Sequence, residues 1–94
     1  MPTKEQAINS LKRVIDPELN LDIWTLGLIY KLEVNNKDVN IDMTFTSPMC
    51  PYGPMLVEQV KQELNSTGFS NTNIQVVFSP PWEPSQDLRE ALGV

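Results

Sequence analysis

Val39-Asn40-Ile41-Asp42-Met43-Thr44-Phe45-Thr46 runs straight into Ser47-Pro48-Met49-Cys50-Pro51-Tyr52-Gly53-Pro54, and the junction of the two decides the fold. In the first stretch apolar and polar residues alternate, the period of two that marks a half-buried strand. The second is rich in proline and cannot continue a strand. It leads into Met55, Leu56, Val57, Val60 and Leu64, whose spacing gives one apolar helix face. Pro54 suits the first turn of that helix, where its missing N–H costs nothing, and Gly68 is its expected stop. A strand, a rigid loop and a helix therefore follow one another, with the only cysteine of the chain in the loop.

Working outward, Asn35-Asn36-Lys37-Asp38 reads as a hairpin turn joining Val39–Thr46 to an earlier strand. That strand opens at Gly27 and runs through Leu28-Ile29-Tyr30-Lys31-Leu32-Glu33-Val34. Ile74, Val76 and Phe78 mark a third strand, broken by Pro80-Pro81-Trp82. At the N-terminus, Thr3 and Gln6 have the spacing of a capping box. Ala7, Ile8, Leu11, Val14 and Ile15 follow a helical period, and Asp16 before Pro17 is expected to end the helix. Ser85 is placed to cap a short C-terminal helix through Leu88, Ala91 and Leu92. The order α-β-β-α-β, with that final helix, predicts a two-layer α+β sandwich spanning residues 1–94 as one domain. Its sheet is small and mixed, with both main helices on one face. Strands two and three, if parallel, require a right-handed crossover.

Composition narrows the chemistry. Seven basic against twelve acidic residues leave a charge of −5. That excludes a phosphate-driven nucleic-acid binder and a polybasic membrane-surface protein. Histidine is absent, which removes Cys–His, Ser–His and His-ligated zinc mechanisms. One cysteine forms no intrachain disulfide, and an unstapled domain of this size fits a reducing cytoplasm. The opening Met1-Pro2-Thr3-Lys4-Glu5-Gln6 has no apolar leader core, so a cytoplasmic location is expected.

Cys50 is the first candidate site residue. A lone cysteine is often only a small buried hydrophobe. Here it sits between Pro48 and Pro51 just before a helix, whose N-terminal N–H groups and dipole favour a thiolate. No Lys or Arg lies within ten residues of it in sequence, so that helix end is the main local source of stabilisation. Asp16 and Glu18 are two carboxylates in a turn; a helix stop and a solvated acid explain both, and in a site they would serve as oxygen ligands or hydrogen-bond acceptors beside a thiolate. Thr44 and Thr46 fall on the more polar sheet face at the end that leads to the cysteine loop. Trp82, held by Pro80, Pro81 and Pro84, reads as a packing lid over a sheet edge, or alternatively as a cover for the same site or a partner surface.

Four blocks carry a family resemblance: Val14-Ile15-Asp16-Pro17-Glu18-Leu19, Leu26-Gly27-Leu28-Ile29-Tyr30, Met43 through Pro51, and Pro80-Pro81-Trp82. In this order they resemble the SufT-type, PaaD-like family of iron–sulfur (metal–sulfur) cluster biosynthesis domains. The resemblance implies a small α+β fold and a site made of Asp16, Glu18, Thr44, Thr46 and Cys50. It implies an accessory factor in iron–sulfur protein maturation, not an enzyme, with Cys50 as functional thiol or metal ligand. One thiolate cannot hold a cluster alone, so iron or an iron–sulfur cluster would be transient and shared between chains. The partners implied are scaffold or carrier proteins and apo client proteins. A homodimer would bring two thiols toward one another. The competing reading is a metal-free adaptor that recruits clients to the assembly machinery. A cysteine nucleophile lacks the histidine base that such chemistry needs. An RNA-binding KH-like module lacks its GxxG loop and basic charge.

Overall fold

The computed structural model describes residues 2–46, 51–83, 86 and 90. Its elements are α1 (Lys4–Leu11), β1 (Ile15–Asp16), β2 (Leu21–Asp22), β3 (Ile29–Asn35), β4 (Asp38–Met43), α2 (Gly53–Thr67) and β5 (Asn71–Val76). β3, β4 and β5 form a three-stranded mixed sheet in that order. β3 runs antiparallel to β4, and β5 runs parallel to it. This is the α+β arrangement expected, with a small β1–β2 ribbon added.

The hairpin turn is where the sequence put it. Asn36 takes a left-handed conformation (φ 55°), which asparagine tolerates, and Asn35 pairs with Asp38 across the turn. In β4 the alternation is kept: Val39, Ile41 and Met43 are buried and Asn40 is exposed. They meet Ala7 and Leu11 of α1 and Leu56, Val60 and Leu64 of α2 in one apolar cluster. A parallel β4–β5 pair needs a crossover of roughly a dozen residues or more, and α2 supplies it. Gly68 closes α2 at φ 119°, its N–H bonded to Asn65 O and Leu64 O.

α1 is capped as expected: Gln6 N donates to Thr3 Oγ1 at 3.2 Å, and Thr3 N donates to Gln6 Oε1 at 2.9 Å. It ends earlier than its apolar period suggests. Arg13 N and Val14 N bond back to Ser10 O and Leu11 O, tightening the last turn, and the chain then leaves the helix. Ile15 and Asp16 pair instead with Asp22 and Leu21, and Ile23 N donates to Val14 O at 2.9 Å. Both Val14 and Ile15 are β-branched, so a strand partner offers them more than one further helical turn. The change of period keeps Val14 buried but turns Ile15 outward, to 43% exposure. Asp16 therefore does not terminate the helix. It starts the turn between β1 and β2.

Two other boundaries move. β3 begins at Ile29, because Gly27 (φ 78°) belongs to the preceding turn, and β5 ends before Phe78, which is 47% exposed. α1 and α2 are also clasped by polar groups. Buried Ser10 donates to Gln6 O at 3.1 Å and shares a hydrogen bond with Thr67, while Arg13 Nε reaches Glu63 Oε2 at 2.9 Å. The helix expected from Ser85 through Leu92 falls outside the described residues apart from Gln86 and Glu90, which are helical.

Replacing Gly68 by Ala puts a Cβ into a positive-φ position at the C-cap. The expected loss of stability is about 1–2 kcal/mol, read as a lower urea midpoint with an unchanged m-value. An unshifted midpoint would mean that the α2 stop is not set by this residue.

Candidate functional site

The strand–helix junction brings Thr44, Thr46 and Trp82 to one end of the sheet. β4 stops at Met43, after which Thr44 N donates to Leu28 O at 2.8 Å. Thr44 is 1% exposed, so alternation fails here: Met43 and Thr44 are buried in succession. Thr44 therefore does not lie on an open polar face, as its place in the alternation suggests. The segment from Val77 to Glu83 passes over this end and covers it. Val77 N donates to Met43 O at 2.8 Å, Tyr30 Oη to Pro80 O at 2.9 Å, and Trp82 Nε1 to Leu26 O at 2.7 Å. Between this strap and the strand end is a small cleft of about 80 Å³, lined by Thr44, Phe45, Thr46, Phe78, Pro81 and Trp82.

Aromatic rings shape the cleft. Phe45 and Phe78 meet edge to face with centroids 6.1 Å apart. The first residue of α2 presses on the same ring: a Cβ added to Gly53 would lie 2.7 Å from Phe45 Cε2. A side chain at this position would therefore displace the Phe45 ring for the helix to start this close to the strand end. Tyr52, the N-cap residue, offers no side-chain hydrogen bond, and the first turn holds no acid. Its N–H groups and dipole lie beside the residues that follow Cys50 in sequence. Tyr52 and Met55, 38% and 44% exposed, lie on this same first turn.

Thr46 Oγ1 is buried with no hydrogen-bond partner among the described residues. A buried hydroxyl in that condition costs about 1–3 kcal/mol unless something bonds it. Asp16 is fully buried. Its Oδ1 accepts from Glu18 N at 2.8 Å and Leu19 N at 3.1 Å, the bonds that form the β1–β2 turn. Its Oδ2 has no partner among the described residues. One carboxylate oxygen thus has a structural task, and the other has none among the described residues. Glu18 is exposed, and neither acid lines the cleft. The ribbon that carries Asp16 reaches the cleft indirectly, through Leu26, whose carbonyl holds Trp82, and Leu28, whose carbonyl holds Thr44.

Ser47 through Cys50 lie outside the described residues, so no contact of Cys50 is stated. The residues flanking that stretch, Thr46 and Pro51, are described. Of the candidates, Thr44, Thr46 and Trp82 share the cleft. Phe45, Phe78 and Gly53 were not singled out as site residues from the sequence. The two phenylalanines sit in strand-like alternation and read as sheet packing, and the Gly53 constraint exists only in three dimensions. Among the described residues no three potential His, Cys, Asp or Glu ligands cluster, and no helix is long and apolar enough to cross a membrane.

A mixed three-stranded sheet backed by two helices, with a cleft at the strand–helix junction, defines a small α+β domain, and comparison with known proteins shows its family. The model of a family described as iron–sulfur cluster assembly protein matches residues 4–76. The Fe-S protein maturation auxiliary factor SufT of Staphylococcus aureus is 45% identical over 86 residues, covering 86% of this chain and 98% of that protein. The auxiliary factor YitW of Bacillus subtilis is 36% identical, covering 97% and 94%. A crystal structure of a domain of unknown function from Bacillus anthracis superposes with a TM-score of 0.85 at 36% identity, covering 97% of this chain and 92% of that one. The chain belongs to the iron–sulfur cluster assembly protein family.

Gly53→Ala is expected to cost about 1–3 kcal/mol, because the Phe45 ring must leave its place. Denaturation and the ring proton shifts of Phe45 and Phe78 together check this. Lost stability with both rings unshifted would contradict the contact.

Proposed function

We propose that this chain is an accessory factor in iron–sulfur protein maturation, and that Cys50 is the soft ligand through which it handles iron or a cluster as cargo. The observation that carries the proposal is the Thr46 hydroxyl, buried and without a partner among the described residues, in a cleft on the strand end that leads to Cys50. A hydroxyl left free there can bond a cargo sulfide or a ligand thiolate. The helix end after Pro51 favours the thiolate form of Cys50. The names of the relatives, Fe-S protein maturation auxiliary factors, agree with this role.

The only thiolate of the chain leaves every other iron position to be ligated from outside. That suits a carrier more than a store. Transfer is then ligand exchange: an acceptor thiol gives up its proton and binds the iron that Cys50 releases, Cys50 takes up a proton, and no oxidation state changes. Scaffold or carrier proteins and apo clients are the partners, residues 1–94 act as one unit in the cytoplasm, and no catalysis is assigned. The alternative, a metal-free adaptor, draws on exposed Tyr52, Met55 and Phe78, which suit a protein surface.

Anaerobic reconstitution with iron and sulfide separates the two. Wild type is expected to gain visible sulfur-to-iron charge-transfer absorption and bound iron. Cys50→Ser is expected to lose both, and Thr46→Val to retain less iron at equal stability. If wild type and Cys50→Ser both stay colourless and iron-free while an apo client still binds, the adaptor reading replaces the carrier.

A further inference from the structure

The two edges of the sheet are built differently. β3 carries the devices that keep an edge single: an exposed Lys31–Glu33 ion pair at 3.2 Å, a register shift between Ile29 and Lys31, and the strap bond from Tyr30 to Pro80. β5 has none of them. Asn71-Thr72-Asn73-Ile74-Gln75-Val76 contains no charge, no proline and no bulge, and its register with β4 is unbroken from Asn71 to Val76.

The hydrogen bonds show which groups β5 leaves open. Asn71 N donates to Lys37 O and Val77 N donates to Met43 O. Bonding residues alternate in a parallel ladder, so Asn71, Asn73, Gln75 and Val77 face β4. The N–H and C=O groups of Thr72, Ile74 and Val76 point away from it, and among the described residues no strand pairs with them. The side chains of these three residues are also only half-buried, while Asn71, Asn73 and Gln75 are exposed on the other face.

We infer that β5 is a homodimerisation edge, which pairs antiparallel with β5 of a second copy to make a continuous six-stranded sheet. A two-fold axis through the Ile74–Ile74 pair fits these observations best. It sets Thr72 against Val76 of the second copy, so every outward amide and carbonyl of the three residues gains a partner. It keeps side chains on matching faces, with Asn73 beside Gln75 of the second copy. It brings no charge into the seam, although each chain carries −5 overall. A second copy is thus a self-complementary occupant. One strand edge falls short of the ~1,200 Å² of a standard interface, so the dimer is weak. Screening the like net charges with salt strengthens it.

The geometry has a consequence for the site. Antiparallel copies place their Thr44–Thr46 ends at opposite ends of the seam. The dimer therefore does not bring the two strand ends together, and a second copy paired in this way is not the source of further cargo ligands. The pairing itself does not rest on the maturation role.

Sedimentation equilibrium of the intact chain tests it, with amide hydrogen exchange alongside. Wild type is expected to be mostly monomeric at about 1 μM and mostly dimeric at about 1 mM. As dimer forms, Thr72, Ile74 and Val76 amides gain protection, while those of Asn73 and Gln75 are protected throughout. The double variants Asn73→Glu/Gln75→Glu and Asn73→Lys/Gln75→Lys change exposed side chains only. Each is expected to be monomeric alone, and a 1:1 mixture is expected to restore the dimer. Wild type that stays monomeric at every concentration overturns the proposal. So does a dimer that neither variant weakens, or protection of Thr72, Ile74 and Val76 already complete in the monomer.

Discussion

The parallel pairing of β4 with β5 is the constraint on which the rest of the molecule depends. Two parallel neighbours cannot be joined by a tight turn, so the chain must leave the end of β4, cross the sheet as α2 and return to the start of β5. That path places a strand end, a loop and a helix N-terminus together. It also delivers Val77–Glu83 to the end of β4, where the strap is tied to Met43, Tyr30 and Leu26. The cleft at Thr44 and Thr46 is thus a product of the topology. Its narrowness depends on Gly53, which lets the helix begin against the ring of Phe45.

Much of this architecture is legible in the residues. The alternation of Val39, Ile41 and Met43, the turn at Asn36, Pro54 in the first turn of α2 and the stop at Gly68 each reflect a local preference that the tertiary structure does not oppose. The misplaced boundaries are those where a distant partner overrides a local period. Val14 and Ile15 continue the apolar spacing of α1, yet the return of Leu21–Ile23 draws them into a ribbon. Asp16 is legible as a turn residue. Its two inward oxygens with different fates, one bonded to the turn and one left without a described partner, are visible only in three dimensions.

The same limit applies at the site. Thr44 and Thr46 are marked in the sequence by their place before the cysteine loop. That Thr44 is buried follows from the strap, whose path no local pattern encodes. Phe45 and Phe78 read as sheet packing because their neighbours are strands, although both lie beyond the last paired residue and line the cleft. Cys50 stands out by its solitude in a chain without histidine. In the proposed role that solitude suits a carrier, because a single soft ligand cannot complete a coordination shell.

The proposed role requires Cys50 for the contribution this chain makes to iron–sulfur protein maturation. Complementation of cells lacking the chain, grown under iron limitation, tests it most directly, with the activity of an iron–sulfur client enzyme as readout. Wild type should restore that activity, and Cys50→Ala, expressed to the same level, should not. Full rescue by Cys50→Ala would remove the thiol from the mechanism.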